Sequence, residues 1–62
     1  MLTAMNIGYL VSVVRAMRGS LEREEVENVM EEAEYRLSIA TSLEEAAVGI
    51  KSWAAGKASL AI

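Results

Sequence analysis

Glutamate is the commonest side chain in this sequence that could take part in chemistry, with nine Glu and no Asp among 62 residues. Glu24, Glu27 and Glu31 are spaced to line one edge of a helix, where carboxylates could bind a metal or act as acid and base. Carboxylate di-iron bundles, however, combine Glu with His at i, i+3, and the sequence has no His. Calcium loops need Asp, Asn and Gly at fixed intervals, which are also missing. We therefore expect a solvated acidic face and no metal site.

Candidate nucleophiles lack the partners that would activate them. The chain has six Ser and no Cys, and without His it has no general base of the usual kind for a serine hydroxyl. A Ser–Lys pair through Lys51 or Lys57 has no supporting motif, and the four Gly are too scattered to form a phosphate-binding loop. The net charge of −3 argues against non-specific nucleic-acid binding. We expect no catalytic residue, no cofactor and no nucleic-acid partner.

The chain length allows one small domain, residues 1–62. A domain of about this size buries only roughly 60% of its unfolded surface and is marginally stable by itself. Disulfides and zinc sites usually help such domains, but both need Cys or His, which this sequence lacks. A partner chain is the remaining means of stabilisation. Both ends, residues 1–2 and 60–62, are apolar, so we expect both to be packed.

The first segment, from Thr3 to Arg18, carries apolar residues around the whole helix axis. A helix of that kind is typically buried on all sides. The alternative is a strand over residues 9–14 that pairs with another copy, as in ribbon-helix-helix dimers, but those proteins bind DNA and usually carry basic residues. The uncharged run 1–14 is too short and too polar to span a membrane, and its positive charges follow it, whereas a secretory signal has them in front. A membrane partner is therefore disfavoured, and a cytoplasmic location is expected.

Gly19-Ser20 separates the first segment from the second. Gly fits the left-handed position after a helix, and Arg15 and Arg18 in the last turn interact favourably with the helix dipole. Ser20 is expected to cap a second helix from Leu21 to about Ala40. The residues of its apolar stripe recur at three- and four-residue steps: Val26, Val29, Met30, Ala33, Leu37 and Ala40.

Thr41-Ser42 allows two interpretations. Both residues have Glu three positions later, Glu44 and Glu45, so both match a capping box and favour a new helix start. Against a break, a seven-residue apolar repeat continues through this point: Val26, Ala33, Ala40, Ala47, Ala54 and Ala61. One continuous helix over residues 21–58 would be about 57 Å long, and other chains would have to cover it. We favour the break, which gives a third helix from Leu43 to about Leu60.

Two tracks of small residues indicate close helix packing, because they let another backbone approach. The first helix has a small residue at every fourth position: Ala4, Gly8, Ser12 and Ala16. The third helix has Gly49 and Gly56, with Ser52 between them. The two tracks either meet within one monomer or form a seam between subunits, and the sequence leaves both alternatives open.

Three large side chains complete the predicted interface. Tyr35 and Ile39 lie off the main stripe of the second helix, with Leu21 near the same angle, and would form an exposed apolar edge in a monomer. Trp53 lies between two lysines and is expected to anchor a core or an interface. A membrane-surface helix would carry more basic residues.

The sequence predicts an all-α fold, either a helical hairpin or three short helices, completed by oligomerisation into a helical bundle. Oligomerisation is expected because the first helix needs more cover than two short, Ala-rich helices offer. The predicted function is a non-catalytic protein–protein interaction module: a small homo-oligomeric adaptor, inhibitor or regulator that forms a dimer or tetramer, binds another protein, or both. The alternatives are a structural subunit of a helical assembly or membrane-associated filament, and a small chaperone that shields a partner's apolar helix.

Overall fold

The computed structural model describes residues 2–60, with side chains described for residues 2–56. Its helices are α1 (Ala4–Arg18), α2 (Arg23–Ile39) and α3 (Leu43–Leu60). Each of the three packs against both of the others. The predicted all-α fold is confirmed in its three-helix form. Residues 9–14 are helical, so the strand alternative is wrong.

The two ends of α1 are capped by its flanking residues. The Asn6 backbone N–H donates to Thr3 Oγ1 over 3.1 Å, which satisfies one of the free donors of the first turn. Gly19 has φ of 84°, and its N–H donates to the Arg15 carbonyl over 2.8 Å. Arg15 and Arg18 lie in the last turn, as the sequence predicts.

The start of α2 differs from the prediction. The helix begins at Arg23, and Glu22 rather than Ser20 occupies the capping position, where its backbone N–H donates to Glu25 Oε1 over 3.4 Å. Glu22 is extended, so the connection from α1 is two residues longer than expected. This longer connection lets Leu21 pack against the core, away from the edge where its helical angle would have placed it.

The chain breaks between α2 and α3, and the single long helix is therefore wrong. Ala40 is extended, and α3 begins at Leu43. Ser42 Oγ accepts the Glu45 N–H over 3.1 Å, as the Ser42–Glu45 capping box predicts. The Thr41 hydroxyl in turn donates a hydrogen bond to the Glu45 carboxylate, so both residues of the connection help to start α3.

The core lies where the three helices meet and takes side chains from all of them: Leu10, Val11, Val14, Val29, Ala33, Leu37, Ala46, Ala47, Ile50 and Ala54. Of the seven-residue repeat, Ala33, Ala47 and Ala54 belong to this core, Val26 and Ala40 are partly buried, and Ala61 lies outside the described residues. Met30 departs from the predicted stripe, because it lies at the edge of the core and is 42% exposed.

The side of α1 that faces away from α2 and α3 is open, which corrects the expectation that this helix is buried all round. Leu10 and Val14 face the core and are fully buried, whereas Met5 is 85% exposed. The reason is geometric, since two helices packed against one side of a third cannot cover its far side. Leu2 is also exposed, so the expected packing of the N-terminal end is wrong at this residue. The side chains at the C-terminal end lie outside the described residues.

Candidate functional site

The small-residue track of α1 lies on the molecular surface. Ala4, Gly8, Ser12 and Ala16 are all exposed, and a Cβ atom added at Gly8 would meet nothing within 4 Å. The alternative in which this track meets the α3 track within the monomer is therefore wrong. The Ser12 hydroxyl donates to the Tyr9 carbonyl over 2.7 Å, so it is satisfied within its own helix. Ser12 can thus take the place of a small, nearly apolar residue in a helix contact.

Two large apolar side chains accompany this track. Met5 and Tyr9 are exposed on the same open side of α1, and no charged residue occurs before Arg15. Both residues belong to the helix that the sequence predicts to be buried all round, although their helical angles, each within about 20° of that of Ala16, are a signal for the side of the small track. We call the combined patch the α1 surface, and it consists of Ala4, Met5, Gly8, Tyr9, Ser12 and Ala16.

A groove of about 360 Å³ runs along one border of the α1 surface. Ile7, Val11 and Met30 form its apolar walls, between α1 and α2, and Arg15 contributes a positive charge. Met30 is the residue that the sequence assigned to the core and the structure assigns to this groove. Its place at the edge of the α2 stripe is the signal that could have identified it.

A second apolar patch lies where α2 ends and α3 begins. Tyr35 and Ile39 are each 55% exposed, which agrees with the predicted exposed edge. Val48, which the sequence did not single out, is 66% exposed and lines a groove of about 250 Å³ together with Ile39. The Arg36 guanidinium carbon lies 5.7 Å from the centroid of the Tyr35 ring and covers part of it. We call Tyr35, Ile39 and Val48 the α2–α3 edge.

The predicted interface residues of α3, Gly49, Trp53 and Gly56, differ in burial. Gly49 is partly buried, and a Cβ atom there would lie 3.2 Å from Arg36 Cδ. Its close neighbour is therefore a side chain of α2 and not a second backbone. Gly56 is exposed, with nothing within 4 Å of an added Cβ atom. Trp53 is partly buried and packs against the core, which agrees with the first of its two predicted roles, anchoring a core or an interface.

Charged side chains surround the fold without forming a chemical centre in the part that the structure describes. Arg18 pairs with Glu25 over 2.8 Å, and Arg36 pairs with Glu32 over 2.7 Å. Within residues 2–56, acidic side chains do not gather in groups of three or more that could hold a metal ion. The described helices include none that is long and apolar enough to cross a membrane.

No protein-family model, no curated protein and no solved structure matches this chain.

Proposed function

We propose that this chain is a non-catalytic protein–protein interaction module that works as a small homo-oligomer, a dimer or a tetramer. The observation that carries the proposal is the α1 surface, an uncharged helix face that remains exposed on a folded three-helix monomer. A helix normally buries its apolar side against a neighbour, and the α1 surface includes one polar residue, Ser12, with the exposed Arg15 at its groove border. The proposal keeps the cytoplasmic location expected from the sequence.

The small size of the domain favours association. A standard interface takes about 800 Å² from each partner, which is about a fifth of the 4228 Å² that the monomer exposes. A domain of 62 residues is marginally stable alone, and binding to its folded form stabilises it by mass action. Covering Met5 and Tyr9 would add buried apolar area at about 25 cal/mol per Å². These considerations favour association through α1.

The α2–α3 edge supports a second role, recognition of another protein. Ile39 and Val48 are exposed on both sides of one shallow groove, and Tyr35 extends the patch along α2. This edge is separated from the α1–α2 groove, because the two grooves share no lining residue. An adaptor needs two such surfaces, one for its own assembly and one for its target. A structural subunit would instead use both surfaces for copies of itself, and a chaperone would use α1 for its client.

Sedimentation velocity over a concentration series distinguishes these classes. We expect a closed dimer or tetramer at micromolar concentration, and a melting temperature that rises with protein concentration. An open series of species would indicate the structural subunit. A monomer at every concentration, with a constant melting temperature, would contradict the proposal.

The two exposed tyrosines provide a matched pair of variants. Tyr9→Lys places a charge on the α1 surface, and Tyr35→Lys places the same charge on the α2–α3 edge, at residues 48% and 55% exposed respectively. We expect Tyr9→Lys to dissociate the oligomer and Tyr35→Lys to leave it intact, with unchanged circular dichroism for both. The reverse result would move the seam to the α2–α3 edge.

A further inference from the structure

The occupant of the α1 surface follows from the arrangement of charge around it. We propose that a second copy of the chain docks there with its α1 antiparallel to the first, and that Arg15 of each copy pairs with Glu34 of the other. This inference rests on the proposed function and adds the partner, the direction of the helices and the residues that fix their register.

The small track is self-complementary in the antiparallel direction. Its four residues are spaced evenly about position 10, so a twofold axis at that position places Ala4 opposite the partner's Ala16 and Gly8 opposite the partner's Ser12. A twofold interface requires such a match, because each surface meets a copy of itself. Small residues then face small residues along the whole contact, which allows the two backbones to approach closely.

Charge distinguishes the antiparallel direction from the parallel one. The cations of α1 lie at its C-terminal end, and Arg18 already pairs with Glu25. Arg15 lines the groove and forms no ion pair among the described residues, where the ion pairs are Arg18–Glu25 and Arg36–Glu32. Parallel helices would bring the two Arg15 side chains to the same level along the helix pair, where their like charges would repel each other. Antiparallel helices carry each Arg15 to the other end of the partner's α1.

Glu34 is the carboxylate at that other end. Helices α1 and α2 are joined by a short connection and run in opposite directions, and Met30 lines the groove beside Val11. Glu34 is exposed one turn further along α2, on the same side as Met30, and so lies near the level of Ile7. The partner's Arg15 arrives at the level of Met5, an axial offset of about 3 Å from Glu34. An arginine side chain spans that offset easily.

Charge reversal tests the pairing. Arg15→Glu and Glu34→Arg should each raise the dimer Kd about tenfold, because two attractive pairs per dimer become repulsive. The double variant should restore the Kd to within about threefold of the original, since the pairs are remade with opposite polarity. Glu44→Arg is the control, because Glu44 is exposed on α3 and does not line the groove, and its Kd should not change. A double variant that is no tighter than either single variant would overturn the pairing.

Engineered thiols test the direction of the helices. The chain has no Cys, so Ala4→Cys and Ala16→Cys introduce the only thiols. In the antiparallel dimer, like positions are separated by twelve residues, about 18 Å, far beyond the roughly 4.4–6.8 Å between the Cα atoms of a disulfide. An equimolar mixture of the two variants should therefore form the mixed disulfide on mild oxidation, and each variant alone should form none.

The outcomes separate this inference from the proposed function. Disulfides between like positions would show parallel helices and overturn the antiparallel arrangement while leaving the homo-oligomer in place. A dimer that neither cross-links between positions 4 and 16 nor responds to charge reversal would also overturn the antiparallel arrangement and leave the homo-oligomer in place. A chain that remains monomeric at every concentration would overturn both, because the α1 surface would then have no second copy to bind.

Discussion

Replacing Gly8 with Gln separates the stability of the monomer from its assembly. Gly8 lies in the middle of α1, and an added Cβ atom would meet nothing within 4 Å, so a longer side chain causes no clash in the monomer. Gly costs about 1 kcal/mol relative to Ala inside a helix and Gln only a few tenths, so the monomer should gain about 0.7 kcal/mol. In a domain of this size, that corresponds to a melting temperature about 5 °C higher.

The same substitution should weaken association. At a close helix crossing, a side chain larger than the available gap costs about 1–3 kcal/mol, and a twofold dimer has two such positions. The expected loss is therefore at least about thirtyfold in the dimer Kd. Gln is chosen over Leu because a new apolar side chain on the surface could itself promote association.

Thermal unfolding followed by circular dichroism at several protein concentrations measures both effects. At the lowest concentration, Gly8→Gln should melt above the unmodified chain. Its melting temperature should begin to rise only at protein concentrations about thirtyfold higher than those at which the unmodified chain begins to gain stability. Gly56→Gln is the control, since Gly56 is also exposed with an unoccupied Cβ position, and it should keep the concentration dependence. A lower melting temperature for Gly8→Gln at every concentration would show that α1 is covered within the monomer. Unchanged concentration dependence would show that the seam lies elsewhere.

Three further predictions concern the core, the α2–α3 contact and the α2–α3 edge. Ile50 is 0% exposed, so Ile50→Ala should lower the free energy of unfolding by about 2–5 kcal/mol. Circular dichroism at low protein concentration should then show a largely unfolded chain. A native-like spectrum under these conditions would show that the stability of the fold does not depend on this core residue. Gly49→Ala should change the urea midpoint little, because the gain in helix propensity is offset by the contact of the new Cβ atom with Arg36 Cδ at 3.2 Å. In a chain that already carries Arg36→Ala, the same substitution should raise the free energy of unfolding by about 1 kcal/mol. Equal effects of Gly49→Ala with and without Arg36→Ala would contradict that contact. The pair Tyr35→Ser and Ile39→Glu should leave helix content unchanged and cost about 0.5 kcal/mol or less each in urea unfolding, and loss of the fold would place both residues in the core.

The capping signals of the sequence were sufficient to locate most helix ends. Gly19 after two arginines ended α1, and Ser42 with Glu45 started α3, because these ends depend on hydrogen bonds between residues three or four positions apart. The start of α2 was predicted two residues early. There, local capping by Ser20 competed with the packing of Leu21 against a core built by distant residues, and only the tertiary structure shows that packing prevailed.

The apolar repeat of α2 and α3 identified their buried sides for a similar reason. A helix has a fixed angular period, so residues seven apart within one helix share a side, as Ala47 and Ala54 do in α3. The period does not continue through the extended Ala40, and each helix turns its own apolar side to the common core. Ala33, Ala47 and Ala54 are accordingly buried in the folded chain. Glycine spacing was less informative, because a gap in one helix does not specify what fills it. The space beside Gly49 is occupied by the Arg36 side chain, whereas no atom lies within 4 Å of an added Cβ atom at Gly8.

The open side of α1 was the feature that the sequence could not assign. Its apolar residues surround the axis, so no angle distinguishes the side that meets α2 and α3 from the side that does not. In the folded chain, the side of α1 that contains Leu10, Val11 and Val14 packs against α2 and α3, and the two connections between the helices determine which side this is. The small track and its neighbours Met5 and Tyr9 are left on the surface, because two helices in contact with each other can cover only one side of a third.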